Sequence, residues 1–239
     1  MKILNQTQVE RGYFTGIGGF PPAEILKEFK DYNGEEKICV ACTQLDSHHA
    51  YLGRKQSEYK KILQEWIDFL SANTKAIKAG HFNSHVPPAL FNAACCQENL
   101  EELRFKWGSY SDLSPLENLD KLKFLRIGSG AGVQDIVPLS KMNSLVVLGV
   151  QNFKRIEDYS PLTSLQNLEQ LAIWGPILKK TPIKDLEFLR DMPNLRSISF
   201  GVTIRRKYTR KELADLRAAL PNLYDISDVF KVKQTTKET

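Results

Sequence analysis

Five stretches of this chain repeat one short pattern, and that repetition limits the possible folds more than any other feature. They read NLEELRFKWG from Asn99, KLKFLRIGSG from Lys121, SLVVLGVQNF from Ser144, NLEQLAIWGP from Asn167 and NLRSISFGVT from Asn194. The leading residues Leu100, Leu122, Leu145, Leu168 and Leu195 are 22, 23, 23 and 27 residues apart. Each copy is Leu-x-x-(Leu/Ile)-x-apolar, and DLSPLENL, DIVPLSKM, DYSPLTSL and DLEFLRDM lie between copies. A single helix does not explain residues 112–128. Leu113, Leu116 and Leu119 keep a helical spacing, but Leu122, Leu125 and Ile127 switch to steps of three and two, and Pro115 interrupts.

The last two apolar positions of each copy are two apart, so in a short strand both point to one side. The intervening segment turns and returns the chain to the start of the next strand. Neighbouring copies then pair in parallel and merge their leucines into one core, because a single copy cannot bury its apolar face alone. Leu103, Phe105, Leu125, Ile127, Leu148, Val150, Leu171, Ile173, Ile198 and Phe200 are the expected core. Each contributes roughly 1.5–3 kcal/mol when buried.

In this pattern residues 100–200 resemble a leucine-rich repeat solenoid, and the DLSPLENLDKLKFL wording is similar to the short bacterial class typified by internalins. The resemblance implies an α/β fold with a curved parallel β-sheet, and binding, usually of proteins, on its concave face. The chain departs from the family in one respect. The family places Asn five residues after the middle strand leucine, and here those positions are Gly108, Gly130, Phe153, Pro176 and Thr203.

A solenoid needs caps. We expect an N-terminal capping region over residues 1–73, a solenoid with its C-terminal cap over 74–227, and a polar tail over 228–239. KICVACTQL reads as a buried strand, SEYKKILQEWIDFLSAN as an amphipathic helix, and PPALFNAACCQ as a second helix opened by proline. Ile77 and Ala79 take the strand pair opposite Leu103 and Phe105, and together these segments extend the same sheet in a right-handed series. PPAEILKEFKDYNG reads as a short helix ended at Asn33-Gly34. At the other end, Thr209 and Glu212 form a capping box for a helix with Leu213, Leu216 and Leu220 on its apolar face. NLYDISDVF supplies a last strand-like piece.

The N-terminal MKILNQTQVERGYF lacks a basic start followed by a long apolar run, so it does not read as a signal peptide. No stretch approaches a membrane span. Four cysteines in 239 residues fit a reducing compartment. The expectation is a cytoplasmic protein with no membrane partner.

Chemistry-bearing motifs are sparse. Cys39 and Cys42 have the spacing of a zinc or redox pair, with His48, His49, Cys95 and Cys96 elsewhere. They sit in an apolar strand where residues three apart face opposite ways, which reads as buried reduced thiols. His81 and His85 read as a solvated loop. GIGGF, from Gly16, lacks dinucleotide-binding spacing and reads as a turn. No cofactor is implied.

The outward rows are more informative. One runs Lys78, Arg104, Arg126, Gly149, Ala172 and Ser199; a second runs Glu102, Phe124, Val147, Gln170 and Ser197. A third runs Lys106, Gly128, Gln151 and Trp174. Arg104 and Arg126 are adjacent like charges, with Glu102 as a possible neutraliser, and otherwise offer a site for an acidic group. Two long insertions, WGPILKKTPIKD and GVTIRRKYTRKE, bring Lys179, Lys180, Lys184, Arg205, Arg206, Lys207, Arg210 and Lys211 to one edge beside Trp174 and Tyr208. Insertions on one face often mark the binding face.

The reading is a non-enzymatic cytoplasmic adaptor or inhibitor that binds an acidic protein surface. It would use Trp174, Lys179, Lys180, Arg205, Arg206, Lys207 and Tyr208 with Arg104, Arg126 and Phe124. Two alternatives stand beside it. One is nucleic-acid binding through the same basic edge, although a net charge of +5 is low for that role. The other is an enzyme or metal site in the N-terminal region.

Overall fold

The computed structural model describes residues 2–14, 24–176 and 181–224. Eight parallel strands form one sheet in the order β1 (Ile25–Leu26), β2 (Lys37–Val40), β3 (Ala79–Val86), β4 (Glu102–Gly108), β5 (Phe124–Ile127), β6 (Val147–Gln151), β7 (Gln170–Trp174) and β9 (Ser197–Gly201). The two insertions contribute β8 (Pro182–Ile183) and β10 (Thr203–Ile204), which pair with each other in parallel. Among the described residues there are four α-helices: α1 (Gln6–Arg11), α2 (Gln56–Ala72), α3 (Pro88–Ala94) and α4 (Arg210–Ala218).

The register follows the sequence repeat. Leu103, Leu125, Leu148, Leu171 and Ile198 are successive partners, as are Phe105, Ile127, Val150, Ile173 and Phe200. All are buried in one core except Phe200, which is half-buried. Among the described residues β9 is the last strand of the sheet, and none of them adds a further repeat over Phe200. A one-residue slip would move every leucine to the opposite face, which fixes this register firmly. The fold is a leucine-rich repeat solenoid.

Each return segment begins on an aspartate. Asp112, Asp135, Asp158 and Asp185 accept hydrogen bonds from the backbone N–H two residues on, at 2.8, 2.8, 2.9 and 3.0 Å. Such Asx turns start the short 3-10 helices that carry Leu116, Leu139, Leu162 and Leu189 into the core.

The missing asparagine ladder has a substitute at each end of the strands. At the C-terminal ends, backbone replaces side chain: the N–H groups of Gly130, Asn152 and Gly175 donate to the carbonyls of Gln151, Trp174 and Gly201 at 2.9, 2.7 and 3.0 Å. At the N-terminal ends, the residue before each leading leucine reaches back one turn. The amides of Asn99, Asn167, Asn194 and Asn222 donate to the carbonyls of Lys75, Asn143, Gln166 and Pro193 at 3.0, 2.8, 2.8 and 3.0 Å. Ser144 does the same to Leu122 at 2.8 Å. Replacing Asn167 or Asn194 by alanine should each cost about 1 kcal/mol in a urea melt. No loss in either variant would mean the ladder does not bind the turns together.

The sheet continues through the N-terminal region, but three expectations there are corrected. Opposite Leu103 and Phe105 stand Gly80 and Phe82, three residues beyond Ile77 and Ala79. Ile77 is still buried, but its N–H is held by the Gln97 side chain at 3.0 Å in the approach to the strand. Phe82 stacks on Phe105 at 5.3 Å and fills the space that Gly80 leaves. His81 and His85 are therefore in β3, which pairs on to Gly108 after a bulge, and are not a solvated loop. The expected helix around Ile25 is instead strand β1, paired Ile25 to Cys39, followed by a 3-10 turn at Phe29–Asp31. The neighbouring edge of β2 was unpaired, and the Ile25-Leu26 pair suits a strand.

Helices α2 and α3 form as the sequence pattern predicts, with Ile62, Trp66 and Leu70 buried on α2. The capping box of Thr209 and Glu212 opens α4. The GIGGF turn, the polar tail and the end of NLYDISDVF lie outside the described residues.

Candidate functional site: the open face of the sheet

The face turned away from the leucine core is the concave face of the expected solenoid. Its rows pair as predicted from β4 to β9, with His81, not Lys78, next to Arg104. The face is not bare. Residues 3–14 lie across it: Leu4, Val9 and Phe14 form a second apolar cluster with Val146 and Val147, and Tyr13 and Phe124 pack against it. Helix α1 within this segment opens with a capping box of Asn5 and Gln8.

Polar groups fasten both ends of the segment. The buried Glu169 carboxylate accepts from the N–H groups of Ile3 and Leu4 at 2.5 and 3.2 Å, and pairs with Arg196 at 2.7 Å. Arg196 also donates to the Leu4 carbonyl at 2.6 Å. Further along, the Tyr13 N–H donates to the Gln170 side chain at 2.7 Å. The Tyr13 ring stacks on Phe124 at 4.3 Å with an interplanar angle of 4°. Its hydroxyl donates to Glu102 at 3.1 Å, and burial followed by the Glu102 charge pushes the hydroxyl pKa up.

Glu102 is the hub of a charge cluster. It pairs with His81 at 3.0 Å and with Arg104. Burial alone would raise its pKa, but the His81 hydrogen bond and the Arg104 charge outweigh burial and hold it below the ordinary carboxylate value. Arg104 also lies 4.8 Å from the Phe14 ring centre. Glu102 thus neutralises Arg104, as its sequence position suggested.

Arg126 differs. It is half-buried, and among the described residues its side chain makes no hydrogen bond and no ion pair. Its guanidinium lies 5.8 Å from the Trp174 ring centre. Desolvation, then the Arg104 charge, lowers its pKa. Trp174 spreads over the next strand, donating from Nε1 to Ser199 at 3.1 Å. A side chain at Gly201 would begin 3.1 Å from this indole, and one at Gly149 would begin 3.3 Å from Phe14 and 3.6 Å from Trp174. Phe14 and Trp174 thus cover the small residues Gly149 and Gly201.

The expected single surface of Trp174 and the basic insertions is divided. Arg205 pairs with Glu157 at 2.6 Å, and Arg206 pairs with Glu187 and Glu212 at 3.0 and 2.9 Å. Lys184 reaches Asp158 at 3.7 Å. These acids belong to the return segments and α4, so the arginines face the turns while Trp174 faces the open sheet. Hydrogen bonds from Thr209, with Arg206, hold the Glu212 carboxyl down to about 2. The ion pair to Arg206 therefore persists down to strongly acidic pH, and is lost only as pH falls through that value. Tyr208 is structural: its hydroxyl accepts from the Leu186 N–H at 2.7 Å, and its ring packs on the core under Arg206. Lys207, Arg210 and Lys211 are exposed, with no acid partner among the described residues. Lys179 and Lys180 lie outside the described residues.

Of the ten sequence candidates, then, Arg126, Trp174 and Lys207 remain available, while Phe124 lies under Tyr13 and Arg104 is held by Glu102. Residues 3–14 were missed as an element of this face. The signal was in SLVVLGV, where Val146 and Val147 break the alternation of a half-buried strand and so call for cover on both sides.

Three of the four cysteines are held out of solvent, and Cys96 is exposed. Cys39, Cys42 and Cys95 are buried thiols. Burial raises the pKa of Cys39, pushes that of Cys42 up to about 12, and lifts that of Cys95 well above its ordinary value. Thiols held protonated are poor nucleophiles and poor metal ligands. Among the described residues no group of three His, Cys, Asp or Glu is placed to hold a metal ion, and no helix is long and apolar enough to cross a membrane.

No protein-family model and no curated protein matches the chain. Solved structures similar to it include an internalin (inlF) of Listeria monocytogenes, 22% identical, covering 64% of this chain and 48% of that one with a TM-score of 0.47. Internalin C2 of the same organism is 23% identical over 64% of this chain and 81% of that one, with a TM-score of 0.31. The leucine-rich repeat protein LIC12759 of Leptospira interrogans is 15% identical over 62% of this chain and 54% of that one, with a TM-score of 0.24. The chain thus spans about half the length of the first internalin. At these identities and TM-scores the likenesses carry no functional argument, and the fold rests on the chain's own repeat and register.

Proposed function

We propose that this chain is a non-enzymatic protein-interaction module, a cytoplasmic adaptor or inhibitor of bacterial type. It binds its partner on the part of the open face centred on Trp174 and Arg126, with Lys207 and Lys211 on the neighbouring edge steering an acidic surface toward it. One observation carries this reading: an indole and a guanidinium with no acid partner among the described residues lie side by side on the open sheet face. Aromatic and arginine side chains are the common anchors of protein interfaces. The pairing of Arg205 and Arg206 with Glu157, Glu187 and Glu212 favours a protein over a nucleic acid, because the two central arginines of the basic edge are already neutralised.

The test is affinity capture from lysate, with and without nuclease, using wild type and Trp174→Ala as baits. A protein kept after nuclease and weakened at least about tenfold by Trp174→Ala is the expected result. Loss of the captured material on nuclease treatment would transfer the role to nucleic acid. Equal capture by both baits would remove Trp174 from the site. A second pair of baits, Lys207→Glu and Lys211→Glu, should slow association and leave the fold intact, since neither residue has an acid partner among the described residues. Charge reversal at Arg205 or Arg206 is a poorer test, since it sets like charges against the glutamates they now pair with.

A further inference from the structure

We infer that Arg126 is the receptor for a single carboxylate, supplied by an aspartate, glutamate or chain-terminal carboxyl group of the bound protein. The inference rests on the interaction-module reading and names the chemistry of its anchor point.

Most buried or half-buried polar groups around Arg126 are matched, and in its own row the other orphaned atom is Nδ1 of His81, two strands away. Glu169 has Arg196 and two backbone N–H groups. Gln170 has the Tyr13 N–H and the Ser197 hydroxyl. Glu102 has His81, Arg104 and Tyr13. Among the described residues Arg126 has no acceptor, and its Nε is out of solvent without a hydrogen bond. A charged donor set in this position is costly to leave unmade. Nothing in the fold explains the cost: Phe124 and Ile127 keep the strand, and the neighbours in register are Arg104 and Gly149.

Charge decides the ligand class. Glu102 cancels Arg104, so the cluster carries the one positive charge of Arg126. A carboxylate brings it to neutrality. A phosphate, at close to two negative charges near neutral pH, would overshoot and would need a second cation. Geometry agrees: a guanidinium offers two parallel N–H groups to a carboxylate, and the indole of Trp174 walls one side and limits competition from water.

The readout is the Arg126 Nε–H resonance of the full chain, assigned by its absence in Arg126→Gln, titrated separately with acetate and with inorganic phosphate against chloride controls. Acetate should shift it saturably and should alter Trp174 fluorescence, and an acetyl-Ala-Glu-Ala amide peptide should act at lower concentration than its glutamine analogue. Tighter, saturable binding of phosphate than of acetate would overturn the carboxylate assignment. A resonance that moves no more with acetate than with chloride would overturn the site.

Stability gives an independent arm. Arg126→Gln and Arg126→Met should melt at or above the wild-type temperature, because they remove an unpaired charge, while weakening partner capture at least about tenfold. If both variants melt lower and capture the partner equally, Arg126 is structural and the inference fails. Capture that depends on Trp174 but not on Arg126 would sink this inference and leave the interaction module standing. Carboxylate binding by a chain that captures no protein would do the reverse.

Discussion

Replacing Phe105 by alanine is expected to lower stability by about 3–5 kcal/mol. The side chain has no exposed surface. Its ring meets Phe82, Phe91 and Tyr110 at 5.3, 5.1 and 5.6 Å between centres. These three come from β3, from α3 and from the turn after β4, so one ring joins the helical N-terminal part of the sheet to the first regular repeat. Backbone on every side limits collapse into the space left, and the cost should fall in the upper part of the range for such truncations. Truncating Phe200, half-buried on the last strand, should cost clearly less. Urea denaturation of the two variants checks both statements. Similar losses would mean that the N-terminal part does not share one core with the repeats.

Glu169→Ala is the second large effect, and it separates attachment of residues 3–14 from stability in general. The substitution leaves Arg196 buried without its acid and frees the N–H groups of Ile3 and Leu4. Breaking a buried pair from one side costs about 3–5 kcal/mol. Much of that loss should be local. Amide exchange in α1 and at Tyr13 should accelerate strongly, while the strands β4 to β7 keep their protection. A variant that melts earlier but keeps α1 protected would show that Val9, Tyr13 and Phe14 hold the segment without the ion pair.

The repeat made most of the fold legible. Leucine spacing set the strands, their parallel order and their register from β4 to β9, because a period-two pattern repeated every 22 to 27 residues has few other ways to bury itself. The capping box at Thr209 was equally plain, since it depends on two residues three apart. Reading failed where one partner of an interaction is far off in sequence. Gly80 holds a core position only because Phe82 and Phe105 fill it. Ile25 and Leu26 are a strand only because β2 offers an edge. Arg205 and Arg206 looked like a free basic edge because Glu157 lies 48 residues and Glu187 19 residues earlier. The open face itself was half legible: its rows were right, but the segment from Ile3 to Phe14 that covers them had to be seen in space. The asparagines before Leu100, Leu168 and Leu195 were visible in three of the five copies, and their reach to the previous turn was not.

Site-specific photo-crosslinking tests the central claim most directly. Benzoylphenylalanine placed at Gln151, which pairs with Trp174 in register, probes the open face. The same residue at Glu117, in a 3-10 turn on the opposite side, is the control. The account predicts one protein adduct from position 151 that is abolished in the Trp174→Ala background, and none from position 117. An adduct to the same protein from position 117 alone would contradict it and would place the working surface on the turns.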